Sequence, residues 1–169
     1  MSFLELAESR YSVRDFSSRE VSDEIIGKIL DAARLAPTAV NYQPQHLYVV
    51  KSPEAVAKLN GLRALYGAPL AIIVCYDETI VWKNSRSGKD SGDTDTAIVT
   101  THMMLEAWEQ GVGSCWMCAF SPKDVREAFE IPAGIEPVHI LALGYPSDSC
   151  RPSERHTIYR PDEETVSFI

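Results

Sequence analysis

The chain has no apolar run approaching the roughly 20 residues that a membrane-spanning helix needs. It is also short of positive charge: 16 Lys and Arg stand against 24 Asp and Glu, a formal net charge of -8. Such a surface repels polyphosphate backbones and anionic lipid, which excludes a general nucleic-acid or membrane role and points to a small-molecule partner. Residues 1–14 carry acidic side chains where a secretory signal would place an apolar stretch, so the expected location is cytoplasmic. Cysteine is scarce, at Cys75, Cys115, Cys118 and Cys150. A chain of 169 residues, 45% of them hydrophobic, builds its own core without disulfide staples, and the four are read as reduced thiols. The Cys115-x-x-Cys118 pair has no second copy, and at strand spacing the two thiols face opposite sides, so no metal site is expected. Gly111-Val112-Gly113 is followed by Trp116 where a dinucleotide fingerprint needs its third glycine, and no helix follows directly. No His stands in a recognisable hydrolase signature, and internal repeats and low-complexity blocks are absent.

What is present alternates between two periodicities. Residues 22–36 place Ile25, Ile26, Ile29, Leu30, Ala33 and Ala36 at helical spacing, with Ser22 as N-cap and Pro37 as the stop. Runs of β-branched and aromatic residues at 46–51 and 69–76 read as strands, the second apolar enough to be central. Ser52-Pro53-Glu54 between them is a helix start, over 52–60. Residues 79–94 form a polar loop with Trp82 at its start. Helical periodicity returns over 95–110 and ends at Gly111, a left-handed C-cap. A strand over 112–120, a short helix from Ser121-Pro122 to Glu130 and a buried strand over 137–143 follow, then a tail rich in charge and proline. This order gives an α+β chain, an α/β sandwich.

Three clusters carry chemistry. Arg10, Tyr11, Ser12 and Arg14 offer two guanidinium forks around a hydroxyl, a set that suits phosphate oxygens. Pro37, Thr38, Asn41 and Gln43 lie in a proline-stiffened loop whose carboxamides can both donate to and accept from a heterocycle edge. Gly111 to Cys118, with Trp116 and Met117, is a strand whose glycines permit close approach to a flat ligand.

At these places the sequence resembles the FMN-dependent nitroreductase family, in its shorter subgroup. The motifs run over most of the chain: Arg-x-Ser-x-Arg-x-Phe at 10–16, Ala-Pro-Thr-x-x-Asn-x-Gln-Pro at 36–44, Gly-Ala-Pro-Leu at 67–70, Gly-Val-Gly-Ser-Cys-Trp at 111–116 and Leu-Gly-Tyr-Pro at 143–146. Thr38 and Gln45 depart from the commoner form of the second motif. The resemblance implies one FMN-binding domain over 1–169, with a mostly antiparallel central sheet flanked by helices. It implies an intertwined homodimer, a mobile loop at 79–94 and a C-terminal extension at 147–169. Arg10 and the late Arg155 would grip the FMN phosphate. Ser12 or Arg14 would stand nearer the pyrimidine edge, with Tyr11, Pro37, Thr38, Trp116 and Met117 around the cofactor. Asn41 and Gln43 would come from the neighbouring subunit, and the backbone amide near Cys118 would face flavin N5. The implied activity passes reducing equivalents from NAD(P)H to a nitroaromatic, quinone or similar acceptor by ping-pong kinetics. Relatives that dehalogenate or fragment flavin, and a non-catalytic flavin-binding protein, are the alternatives. No catalytic side chain is required, because the cofactor does the chemistry.

Overall fold

In the computed structural model, which describes residues 2–169, the apolar run at 69–76 becomes the central strand. Strand β1 spans Gln45–Val50, β2 Leu70–Asp77, β3 Gly113–Met117 and β4 Ile135–Gly144. They pair in the order β1-β2-β4-β3, every neighbour antiparallel. A single parallel bridge from Ser12 to Ser114 lays the N-terminal segment beside β3. Leu70 to Cys75 are buried on both faces, which is why this strand reads as a continuous apolar run while β1 at the edge is half-exposed.

Helices cover both faces of this sheet. Helix α1 spans Phe3–Ser9, α2 Asp23–Leu35, α3 Pro53–Leu62, α4 Gly92–Glu109, α5 Pro122–Phe129 and α6 Asp162–Thr165. On one face α2 packs on α4, and Ile29, Ala33, Val99 and Met103 bury against Ile72, Leu141 and Leu143 of the sheet. On the other, Leu59 of α3 and Val125 of α5 bury with Ile73, Cys75, Met117 and Ile140. The alternation along β4 divides its side chains between these two cores. Ser22, Ser52 and Ser121 each cap their helix by accepting a backbone N–H with the side-chain oxygen. Among the described residues no helix is long and apolar enough to cross a membrane.

The structure departs from the sequence reading at several boundaries. Helix α4 begins at Gly92, not Asp95, because Asp90 caps the Gly92 N–H at 3.0 Å and Gly92 lies beneath the Tyr76 ring. The loop before it is pinched at its neck by a Lys83–Asp90 bridge and by Ser91 N–H donating to the Trp82 carbonyl. Strand β3 ends at Met117, three residues early, where Phe120 N–H donates to the Cys118 carbonyl in a turn. Helix α1 has little apolar periodicity to announce it. It forms on a capping box, with Glu5 accepting the Ser2 N–H and Ser2 accepting the Glu5 N–H. In β4, Pro137 has no N–H for the ladder, and the pairing with β2 slips between Val74 and Cys75 in a bulge beside His139.

A Cβ on Gly113 would stand 2.6 Å from Val13 Cγ2 and 3.3 Å from the Gly144 carbonyl oxygen. Gly113→Ala should therefore overpack this junction and cost about 1–3 kcal/mol, read as a lower urea midpoint.

Candidate functional site

The two ends of the chain meet at one cavity. Segment 12–17 runs beside the start of β3, where Val13 N–H donates to the Ser114 carbonyl at 2.8 Å. The tail returns to the same place: Ser17 N–H donates to the Tyr145 carbonyl, and Ser147 N–H to the Asp15 carbonyl. The hydroxyls of Ser147 and Ser149 both donate to the Asp15 carboxylate, and this holds its carboxyl below the usual range. The cavity so formed is about 570 Å³, and Ser12, Arg14, Arg151, Ser153 and Arg155 line it with Asp15. Three guanidinium groups and a ring of hydroxyls in a chain of net charge -8 make a site for an anion. Arg10 is half-buried next to it in sequence, and its Nε is buried without a hydrogen-bond partner. Tyr11 packs edge-on against Trp108 at 5.2 Å and His156 at 6.3 Å, which ties the tail to the C-terminal end of α4.

The carboxamide loop lies at the other end of α4. Val40, Asn41 and Gln43 all take left-handed backbone, at φ 54, 56 and 52 degrees. For a β-branched residue such as Val40 this conformation is strained and persists only where neighbours enforce it. The enforcement is visible: Ala39 N–H donates to Asp95 Oδ1 at 2.9 Å, and Gln43 N–H to Thr38 Oγ1 at 3.0 Å. Asp95 is buried and also accepts from the Ser91 hydroxyl at 2.7 Å. The turn so fixed leaves Pro37, Asn41 and Gln43 exposed and Thr38 half-buried.

Beside that loop, α4 faces the end of β3. Trp116 points to the α4 side and meets His139 edge-on at 4.8 Å. Met117 is buried in the opposite core, so only its backbone is available to a ligand. Cys118 is exposed, and its Sγ lies 3.5 Å from His139 Nδ1. Burial pushes His139 below its ordinary value of 6.5, opposed by the Asp93 charge and the backbone carbonyls of Val138 and Asp93. Burial, then the carboxylates of Asp90, Asp93, Glu78 and Glu136, push the nearby Tyr76 phenol up to about 12.

The expected site residues thus fall into two groups. Ser12, Arg14 and Arg155 gather at one end of α4, with Arg10 and Tyr11 adjoining. Pro37, Thr38, Asn41, Gln43, Trp116 and Cys118 gather at the other. A rise of about 1.5 Å per residue puts Asp95 and Trp108 about 20 Å apart along the helix. Of Arg151, Arg155 and Arg160 in the tail, the sequence reading chooses Arg155; Arg151 lines the cavity beside it, with Ser149 and Ser153, which the sequence reading does not single out. Asp95 and His139 carry no local signal, because their roles depend on what packs against them.

Replacing Asp95 with Ala should leave the Ala39 N–H unmatched and cost about 2–3 kcal/mol in urea unfolding. His139 supplies a second, pH-dependent expectation. Its folded value lies below 6.5, so the unfolded chain binds the proton more readily. The associated stability is complete above 6.5 and is lost as the pH falls from there through the lower folded value. The urea midpoint of the wild type should therefore fall more steeply on acidification than that of His139→Gln.

Comparison with known proteins gives a consistent picture. A sequence model described as the Nitroreductase family matches residues 7–64 and 56–145. A protein of Archaeoglobus fulgidus with the provisional name NADH dehydrogenase/NAD(P)H nitroreductase is 35% identical over 167 residues, covering 94% of each chain. The crystal structure of a nitroreductase family protein from Clostridium difficile superposes with a TM-score of 0.94 at 46% identity, covering 99% of this chain and 98% of that one. A nitroreductase from Exiguobacterium sibiricum, solved in complex with FMN, shares the fold at a TM-score of 0.87 and 22% identity, over 100% of this chain and 98% of that one. The antiparallel sheet with its flanking helices, and this match to family and structures together, mean that the chain belongs to the nitroreductase family.

Proposed function

We propose that this chain is one subunit of an FMN-dependent oxidoreductase that takes reducing equivalents from NAD(P)H and passes them to a small acceptor such as a nitroaromatic or a quinone. The observation that carries this reading is the cavity in which Arg14, Arg151 and Arg155 converge from the two ends of the chain. Guanidinium forks and hydroxyl donors suit a phosphate monoester, and the two serines on Asp15 engage the one carboxylate that would oppose it. The names of the similar proteins, which include NAD(P)H nitroreductases and an FMN complex, point the same way.

In this reading Arg155 and Arg14 hold the phosphate, with Arg10, Tyr11 and Ser12 beside them and Arg151 as a further donor. Trp116, the backbone of Met117 and the backbone amide of Cys118 border the flavin ring, the last toward N5, where a donor favours the reduced form. Pro37, Thr38, Asn41 and Gln43 reach the same ring from a second copy of the chain. Two features support the second copy. The arginine cavity and the carboxamide loop stand at opposite ends of α4, an arrangement in which a symmetric copy brings its own loop to the arginine end. Along α4, moreover, Ile98, Thr101 and Leu105 are only half-buried, and Val40 and Tyr42 in the loop are exposed, leaving apolar surface that a symmetric partner would cover. Antiparallel pairing of two α4 helices sets the arginines of one chain against the loop of the other. Bound FMN supplies the electron transfer itself, and the two substrates take turns at one face of it, a ping-pong order. The whole chain, residues 1–169, acts as one unit, with 147–169 closing the phosphate cavity and the Trp82 loop bordering the acceptor. Four unpaired thiols suit a reducing, cytoplasmic setting.

Purified protein should be yellow, should bleach anaerobically on addition of NADH or NADPH, and should recolour with a nitroaromatic or quinone. Failure to bleach would sink the reductase reading. Arg155→Ala should weaken FMN binding by about 1.5–3 kcal/mol, roughly 10- to 150-fold. Arg160→Ala, which removes only an ion pair to Glu164 in the tail, is the control. Equal flavin retention by both variants would show the phosphate to lie elsewhere.

A further inference from the structure

The pairing of Cys118 with His139 is not needed by anything above. Two contacts define its chemistry. Thr96 has a single hydroxyl proton, and it is directed to the Gly92 carbonyl at 2.7 Å. Toward His139 Nε2, 3.5 Å away, Thr96 Oγ1 can therefore only accept. With the imidazole proton on Nε2, the lone pair is on Nδ1, which faces Cys118 Sγ at 3.5 Å, while the backbone carbonyls of Val138 and Asp93 also accept from the ring. The imidazole is 8% exposed and held neutral by its burial, so it is fixed in place as a proton acceptor for an exposed thiol. Both groups line a cavity of about 630 Å³.

We propose that Cys118 is a nucleophilic thiol that adds to neutral α,β-unsaturated carbonyl compounds, quinones among them, with His139 Nδ1 taking its proton. The sulfur forms a bond to the β-carbon, the pair of the C=C bond moves to the carbonyl oxygen as an enolate, and the proton passes from His139 to that oxygen. The product is a thioether, and no oxidant or reductant is consumed. Selection of neutral over anionic electrophiles follows from the cavity wall, where Glu78 and Asp93 share the lining with the thiol, Glu136 is paired with Arg126 and the Tyr76 phenol stays protonated. A neutral thiol becomes a competent nucleophile when an adjacent base takes its proton. The other cysteines lack this arrangement. Burial pushes the Cys75 thiol up to about 12 and the Cys115 thiol upward, and Cys150 is half-buried at the arginine cavity. The inference uses side chains of one chain only, and its labelling test reads Cys118 without relying on turnover.

The test is site-resolved mass spectrometry of the purified protein under limiting N-ethylmaleimide. Cys118 should label at least about tenfold faster than Cys150, and faster than the same cysteine in urea-unfolded protein, where the base is lost. His139→Gln should slow Cys118 by about tenfold and leave Cys150 unchanged. Wild type should also discriminate against iodoacetate relative to iodoacetamide more strongly at Cys118 than at Cys150. Labelling of Cys118 no faster than in the unfolded chain overturns the proposal whatever the variant does. So does a His139→Gln protein that folds and labels Cys118 within about twofold of wild type.

Discussion

One buried carboxylate organises the half of the molecule that faces a ligand. Asp95 sits in the first turn of α4, 1% exposed, where the N-terminal end of the helix favours negative charge. It accepts the Ala39 N–H from one loop and the Ser91 hydroxyl from another. Through the first contact it holds a turn in which three non-glycine residues adopt left-handed backbone, so that Asn41 and Gln43 project outward. Through the second it fixes the neck of the Trp82 loop to the same helical turn. The next residue, Thr96, meets His139 Nε2 at 3.5 Å, and His139 Nδ1 in turn lies 3.5 Å from Cys118 Sγ. A carboxylate buried this completely is tolerable only because its oxygens are matched, and matching them is what holds the loops.

At the far end of α4 the organising charge has the opposite sign. Arg14 arrives from the segment after α1, and Arg151 and Arg155 from the tail. They can lie close together because Asp15 anchors the returning chain through Ser147 and Ser149, and because the Phe16–Pro146 bridge closes the turn. Three converging guanidinium groups repel one another, and an anion between them relieves that repulsion. Against the acidic remainder of the chain, this is where the proposed function puts a phosphate.

Much of the architecture was readable from pattern alone. The apolar run of β2, the 3.6-residue stripe of α2, the Ser-Pro starts of α3 and α5 and the left-handed Gly111 are local signals, and each produced the element it announced. The errors lay where a boundary is set by something distant in sequence. The start of α4 moved to Gly92 because the Tyr76 ring and the Asp90 cap meet there. The strand over 112–120 shortened because the chain turns at Cys118. Among the candidate residues, Arg14 and Arg155 come together at one cavity with Arg151, and Met117 turns its side chain into the core.

The division follows from the range of the forces involved. Periodicity, capping and turn chemistry act within a few residues, so the amino-acid order alone was enough to specify the helices, the central strand, the acidic surface and the family motifs. Which groups meet across the fold depends on register and packing: Asp95 under Ala39, His139 against Cys118, Arg14 with Arg155 from the two ends of the chain. A one-residue change of register in β4 would send His139 into the other core, and no local pattern encodes that choice. Only the closed sheet, with helices fixed on both faces, brings those charges and lone pairs within reach of each other.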